Sequence, residues 1–257
     1  MNLPFASMYL PQLIAIATTA GAKIMEIYGE DFATTLKSDA SPVTAADTAA
    51  EAIIIAGLKQ HFADIPIIAE EQQAAGQMVA ISRAFFLVDP LDGTKEFISR
   101  NGEFTVNIGL VINGTPVSGV VYAPALGEIY AGEGGLGAFA AKSPALQFSK
   151  IETRPCPADG PTLLASRSHL DAQTEAFIAA QKPAGITNAG SSLKFCRVAE
   201  GKADLYPRFG RTMEWDTAAG HAVLAAAGGQ VTTPDGKAFI YGKQGFANGP
   251  FIASGRR

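Results

Sequence analysis

Apolar residues first recur at helical spacing. Between about Tyr9 and Tyr28, Leu13, Ile14, Ala17, Ile24 and Ile27 line one face, Pro11 suits a first turn and Gly29 a stop. A second helix is predicted from about Thr44 to Phe62, rich in Ala and Ile, with Thr44 and Asp47 at the spacing of a capping box. The pattern then turns extended. Ile65 to Ala69 and Ala84 to Val88 read as buried strands, and Phe104 to Ile112, Asn113-Gly114 and Val117 to Tyr122 read as a hairpin. The Pro-rich stretch from Arg154 to Pro161 marks a boundary. Beyond it, strands at Thr162 to Ala165, near Ile186, at Ala203 to Tyr206, Gln230 to Thr233 and Phe251 to Ala253 alternate with helices at Asp171 to Gln181, Ser191 to Glu200 and Thr217 to Ala227. Such alternation is typical of α/β architecture. The expected organisation is an α+β subdomain over residues 1–157, with a largely antiparallel sheet, and an α/β subdomain over 158–257 that completes a shared site.

Composition narrows the function classes. With 257 residues, 47% apolar and 17% charged, the chain can bury a sizeable core and is not disordered. Its net charge of −4 comes from well-mixed acidic and basic residues, so there is no broad electrostatic footprint for a nucleic acid polymer. An anionic substrate must therefore be attracted by local groups. Cys156 and Cys196 are far apart and lack CxxC spacing, which argues against a zinc site or disulfide framework and fits a reducing compartment. No apolar run approaches the ~20 residues that span a bilayer, and Met1 to Ala6 has no basic stretch leading into one. The expected location is the cytoplasm, with peripheral association at the inner face of the cell membrane left open.

The most informative stretch is Val88-Asp89-Pro90-Leu91-Asp92-Gly93-Thr94-Lys95-Glu96-Phe97, at the end of an apolar strand. It reads as a tight loop in which Pro90 fixes the backbone, Gly93 takes a positive φ and Asp89 and Asp92 converge on one point. That suits Mg²⁺, a hard cation that takes carboxylate oxygens and keeps several waters. A short helix starting near Thr94 would turn backbone N–H groups of Gly93 and Thr94 toward a phosphate. Asp, Pro and Gly also form ordinary turns. Glu70-Glu71 and Asp216 add carboxylates, although Glu70 can be a solvated strand end, and Asp47 and Asp216 can simply cap helices.

Glu70-Glu71, Asp89-Pro90-Leu91-Asp92-Gly93-Thr94 and Trp215-Asp216-Thr217-Ala218-Ala219-Gly220 together resemble the three-part signature of the inositol monophosphatase superfamily, lithium-sensitive, metal-dependent phosphatases of sugars and nucleotides. The resemblance implies their fold, a layered αβαβα sandwich of α+β and α/β parts. Ser41 to Asp47, Lys95 to Ile98, Asn101 to Ile108, Gly190 to Cys196 and Leu205 to Gly210 further resemble the CysQ-type 3'(2'),5'-bisphosphate nucleotidase branch. Lys95-Glu96 stands where inositol monophosphatases typically carry Thr-Asn, and Ala69 where many members carry Gly or Ser.

By that resemblance, Glu70, Asp89 and the Leu91 carbonyl would hold one Mg²⁺ and Asp89, Asp92 and Asp216 a second. Like charges ~4 Å apart repel by about 4 kcal/mol at an effective dielectric of 20, so such a cluster needs cations or protons. Thr44, Asp47 and Thr94, with Glu70, would activate the attacking water. Glu70, Leu91, Asp92, Gly93, Thr94, Ser191, Ser192, Lys194 and Asp216 would surround the substrate, with Gly190-Ser191-Ser192 and Lys194 at a second phosphate. Lys95, Arg167, His169 and Arg208 are further candidates for phosphate or base contact, although a basic residue beside a loop is usually solvated surface. Trp215, Phe195 and Tyr206 suit the core better than an adenine platform. The implied reaction converts adenosine 3',5'-bisphosphate to AMP and phosphate. An inositol or other sugar phosphatase is the alternative within the enzymes, and a non-catalytic phosphate-binding regulatory protein the alternative outside them.

Overall fold

A computed structural model describes residues 6–30, 34–36, 42–143, 145–165 and 171–256. Two helices, α1 (Leu10–Tyr28) and α2 (Ala45–His61), pack on one another and on one face of a sheet, with the hairpin β1 (Thr34–Leu36) and β2 (Pro42–Thr44) between them in sequence. Pro lies in the first turn of α1 as expected, and Leu13, Ile14, Ala17 and Ile24 are buried. Thr44 is the N-cap of α2, and the capping box with Asp47 is formed.

The sheet beneath has seven strands in the order β3 (Ile67–Ala69), β4 (Ala84–Asp92), β5 (Thr105–Ile112), β6 (Thr115–Ala123), β7 (Glu128–Glu133), β8 (Gly137–Lys142) and β9 (Ser149–Ile151). Only β3 and β4 are parallel. Two short helices interrupt this run, α3 (Glu70–Ala74) and α4 (Thr94–Ile98). Strands β7, β8 and β9 extend the sheet beyond the elements read from sequence.

Between Ile151 and Thr162 the chain passes to a five-stranded sheet. It contains β10 (Thr162–Ala165), β11 (Gly185–Asn188) and β12 (Leu205–Arg208), with β14 (Gln230–Thr232) and β16 (Phe251–Ser254), in the order β11-β10-β12-β16-β14. A two-stranded ladder joins β13 (Thr212–Met213) to β15 (Ala247–Asn248). Helix α5 (Ala172–Ala180) covers the outer face through Ile178, which packs on Leu163 and Ala165. Helices α6 (Leu193–Ala199) and α7 (Glu214–Ala226) fill the space between the two sheets. The layers run α1/α2, sheet, α6/α7, sheet, α5, the αβαβα sandwich that the resemblance implied.

Helix α7 lies unusually close to the larger sheet. Gly109, Gly119 and Gly132 pair across three neighbouring strands. A Cβ at Gly109 would lie 2.8 Å from the Ala219 nitrogen, one at Gly119 2.6 Å from the Ala219 oxygen, and one at Gly132 2.7 Å from Val223 Cα. Interiors tolerate no such overlap. The bare glycine row therefore fixes the depth of α7 and, with it, the position of its first turn.

Candidate active site

Three elements end at one edge of the larger sheet. Strands β3 and β4 run parallel with Ala69 opposite Val88, so Glu70, the first residue of α3, comes beside Asp89. On β4, Phe85 and Leu87 join the core around α7, whereas Phe86 and Val88 join the core beneath α1 and α2. Strand alternation thus turns Asp89 toward α7. Asp92, three residues on, would face the opposite side of a regular strand. The register, however, pairs Asp89 with Asn107 and Asp92 with Thr105, a bulge with one extra residue on β4. The bulge returns Asp92 to the face of Asp89. Pro90 is tolerated inside it because a bulge relaxes the ladder, and Leu91 N–H donates to Asp89 Oδ1 at 3.0 Å. What reads in sequence as a loop after the strand is the bulged end of the strand itself.

Gly93 follows with φ 92°, and a Cβ there would lie 2.3 Å from Ser191 Oγ, so both backbone and space require glycine. Thr94 then begins α4, and its hydroxyl lies 3.3 Å from Asp47 Oδ1 and 3.4 Å from the Leu91 carbonyl. Asp47 Oδ2 accepts from Thr44 N–H at 2.8 Å and from Thr44 Oγ1 at 2.7 Å. Thr44, Asp47 and Thr94 therefore form a connected group.

Asp216 completes the cluster. Helix α7 starts at Glu214, three residues earlier than its pattern suggests, so Asp216 is its third residue and not a residue ahead of it. Its Oδ2 accepts from Met213 N–H at 2.8 Å. Carboxylate oxygens of Glu70, Asp89 and Asp216 all lie within 4.8 Å of one another. Asp92 adjoins them, with Ser192 Oγ donating to its Oδ2 at 3.2 Å and lying 2.6 Å from the Asp216 carbonyl.

Two of the four carboxyls, Asp92 and Asp216, have raised proton affinity. Burial pushes Asp92 up to about 6, with Lys194 opposing and Glu96 and Glu70 adding to the rise. Burial, then the charges of Asp92 and Glu70, raise Asp216 well above the ordinary carboxylate range. An all-oxygen donor set that includes carboxyls of raised proton affinity fits a hard divalent cation.

Ser191 Oγ reaches the carbonyls of Asp92 at 2.8 Å and Glu103 at 2.7 Å, which ties the start of α6 to the end of β4. Ser192 precedes α6 without a side-chain cap to its helix, because its hydroxyl is turned to Asp92 and Asp216. Lys194 is buried, donates to the Ala189 and Ser191 carbonyls at 3.1 and 2.8 Å, and lies over the Tyr206 ring. Burial lowers it to about 8, against the pull of Asp92. Arg208 is near enough for its charge to bear on Asp216 and Lys194. Lys95 is exposed on α4. Arg167 and His169 lie outside the described residues. Phe195, Tyr206 and Phe251 form one aromatic cluster and Trp215 packs on Phe246, all in the core around α7.

Two positioning groups escaped the sequence reading. Glu51, one turn after Asp47 on α2, is buried and accepts the N–H of Glu71 at 2.7 Å, holding the turn that carries Glu70. Its i, i+4 spacing from Asp47 was the available signal. Glu103 accepts Gly190 N–H at 2.9 Å; it lies in the Asn101 to Ile108 stretch, but nothing in that stretch singles it out for this contact.

Comparison with known proteins agrees with this geometry. Residues 7–255 match the inositol monophosphatase family. The chain is 44% identical over 248 residues to the 3'(2'),5'-bisphosphate nucleotidase CysQ of Escherichia coli (strain K12), covering 95% of this chain and 99% of that protein. The crystal structure of CysQ from Bacteroides thetaiotaomicron is similar at a TM-score of 0.82 and 39% identity, covering 98% of this chain and all of that one, 100%. The inositol monophosphatase from Anabaena (Nostoc) sp. PCC 7120 is similar at 0.75 and 28%, with coverages of 96% and 90%. A likeness that spans both sheets and the helices between them, joined to the carboxylate cluster where those layers meet, leaves one conclusion: the chain belongs to the inositol monophosphatase family, whose members are metal-dependent.

Proposed function

We propose that this chain is a 3'(2'),5'-bisphosphate nucleotidase that removes the 3'-phosphate of adenosine 3',5'-bisphosphate to give AMP and phosphate, with Mg²⁺ as its cation. The observation that carries the reading is the convergence of Glu70, Asp89 and Asp216 within 4.8 Å beside Asp92, with Asp92 and Asp216 raised by burial and mutual repulsion. The near full-length similarity to a CysQ nucleotidase supports the substrate.

Glu70, Asp89 and the Leu91 carbonyl would hold one Mg²⁺, and Asp89, Asp92 and Asp216 another. When bound, the cations would lower the pKa of a water and stabilise the leaving oxygen in an in-line displacement at phosphorus. The residues supply orientation. Thr94 Oγ1, held against Asp47 Oδ1, can take a hydrogen bond from the attacking water, and Asp47 can receive the proton through that hydroxyl. Thr44 keeps Asp47 oriented through two hydrogen bonds to one carboxylate oxygen. Backbone N–H groups at Gly93 and Thr94 would meet the scissile phosphate, a preorganised electrostatic contact. Ser191, Ser192 and Lys194 border the cluster and would meet the second phosphate, with Arg208 adding positive charge from β12.

Phosphate release from adenosine 3',5'-bisphosphate and from inositol 1-phosphate, compared with and without Mg²⁺, tests the proposal. Magnesium-dependent preference for the nucleotide supports it. Preference for inositol 1-phosphate would keep the metal chemistry and overturn the substrate, and silence on both would overturn the enzyme reading for these esters. Inhibition by millimolar Li⁺ is expected alongside nucleotide turnover.

A further inference from the structure

Strand β5 presents two polar side chains that the proposed mechanism does not use. Val106, Ile108 and Leu110 face the core beneath α1 and α2. Thr105 and Asn107 alternate with them and so share the α7 side of the sheet with Gly109, which abuts Ala218 and Ala219. Asn107 pairs with Asp89 and Thr105 with Asp92, so the two stand directly opposite the two aspartates of β4. Cross-strand partners on one face have Cβ atoms about 4.5–5.5 Å apart. Both residues are 0% exposed. Thr105 Oγ1 and both polar atoms of the Asn107 carboxamide have no hydrogen-bond partner among the described residues.

Buried amides and hydroxyls carry a heavy desolvation penalty unless they are paired, and native interiors rarely leave them alone. The other cross-strand neighbour of Asn107 is Val121, which offers it no polar side chain. An apolar side chain of similar size would suit this face of the metal-free fold better. The polar pair makes sense if its partners arrive with a ligand, and the ligand site it adjoins is the carboxylate cluster. A hydrated cation held by carboxylates offers hydrogen-bond acceptors and donors together, the complement that a carboxamide and a hydroxyl require.

We propose that Asn107 and Thr105 are positioning residues for the cation held by Asp89 and Asp92, supplying hydrogen bonds to its surrounding carboxylates and waters from the neighbouring strand. The inference rests on the cation reading of the cluster. It assigns these residues to holding the ion's surroundings and not to stabilising the metal-free fold, so the two properties separate on mutation.

The test uses the full chain with Asn107→Leu, Thr105→Val and the conservative Thr105→Ser. Melting temperature is measured in EDTA, and Mn²⁺ affinity by the electron paramagnetic resonance of free Mn²⁺. Asn107→Leu should weaken Mn²⁺ binding by about tenfold to a hundredfold, as loss of such an outer partner typically does, without lowering the melting temperature in EDTA. Thr105→Val should behave alike with a smaller loss, and Thr105→Ser should retain wild-type affinity. Affinity within twofold of wild type in Asn107→Leu, or a lower melting temperature in EDTA, would overturn the proposal and make Asn107 an ordinary structural residue. Failure of the wild-type chain to bind Mn²⁺ would overturn this inference and the cation reading together.

Discussion

Helices α2 and α7 start with the same device and use it differently. Each carries an aspartate as its third residue, Asp47 and Asp216, whose carboxylate takes the N–H of the residue before the helix. At α2 the carboxylate also accepts two hydroxyls, from Thr44 and Thr94. At α7 the nearest charged neighbours of Asp216 among the described residues are other carboxylates, and its proton affinity rises well above normal. One aspartate is surrounded by donors, and the other stands among acceptors. A helix start that supplies donors prepares a carboxylate to orient and exchange protons. One that gathers acceptors prepares it to hold a cation.

Neutralising each aspartate separates the two roles most sharply. Asp216→Asn keeps an acceptor for Met213 N–H but removes a proposed cation ligand whose interaction would be of several kcal/mol, so turnover should fall about a thousandfold or more. The same variant relieves repulsion with Asp92 and Glu70, and its melting temperature in EDTA should rise. Asp47→Asn should lose about a hundredfold or more in turnover through the missing proton acceptor. Its melting temperature should fall, because charge-assisted hydrogen bonds from Thr44 are weakened. Phosphate-release rates beside thermal melts check both, and melts that shift in the same direction would break the comparison.

The depth of α7 should matter next. Gly119→Ala would force a methyl to within 2.6 Å of the Ala219 oxygen, so α7 must move away from the sheet. Overpacking of this kind costs about 1–3 kcal/mol. Displacement of Asp216 should also cost up to about a hundredfold in turnover, since small misplacements of reacting groups are expensive. Asp47 is on the opposite side of the sheet, so the loss should appear mainly as weaker Mg²⁺ activation. Unchanged Mg²⁺ dependence in this variant would mean that the glycine row does not set the site.

These contrasts explain what the sequence made legible. Thr44 and Asp47 form a capping pair whose spacing is visible without a structure, and the boundaries of α2 followed from it. Helix α7 has Met213 at the corresponding position, which sends no capping signal, so its start was read three residues late. Strand β4 was cut short because Asp-Pro-Leu-Asp resembles a turn, and only the cross-strand register reveals a bulge. Strands β7 and β8 were missed because Ala131, Gly132, Ala138, Ala140 and Ala141 are weak strand formers. Gly132 is small because α7 presses on it, a tertiary demand that overrides local propensity. The carboxylates that converge, Glu70, Asp89, Asp92 and Asp216, were legible through spaced motifs. The role proposed for Asn107 was not, although the residue lies in the Asn101 to Ile108 stretch, since only burial on both faces of β5 makes an amide there conspicuous.

Acidity offers a third way to sharpen the contrast, with a smaller effect. In the metal-free fold Asp92 and Asp216 hold protons that the unfolded chain releases at lower pH. Folded carboxyls with raised pKa stabilise the fold below the unfolded value, and that contribution is lost as pH rises through the folded value. For Asp92 the loss runs from near pH 4 to about 6, and for Asp216 it extends higher. A bound cation reverses the preference by favouring the ionised forms. The rise in melting temperature produced by Mg²⁺ should therefore be small at pH 5 and larger at pH 7.5. His221, held neutral by burial to about pH 4, changes stability in the same range but in both conditions alike. Taking the difference between melts with and without Mg²⁺ removes it, and a difference that shrank with pH would contradict the carboxylate assignment.

The smallest expected effect is at Thr44. Thr44→Ala removes the hydroxyl that receives Ala46 N–H at 3.2 Å and donates to Asp47, but leaves the backbone N–H that also holds the carboxylate. Loss of an N-cap costs about 1 kcal/mol, which in a chain this large lowers the melting temperature by about 2–4 °C. Thr44→Ser keeps the oxygen and should melt close to wild type. If Thr44 also keeps Asp47 aligned with Thr94, the alanine variant should lose turnover at saturating substrate while its Mg²⁺ affinity stays unchanged, because no cluster ligand has moved. Equal losses in turnover and Mg²⁺ affinity would instead mean that the start of α2 supports the cation as directly as the start of α7, and the division between donor-held and acceptor-held aspartates would fail.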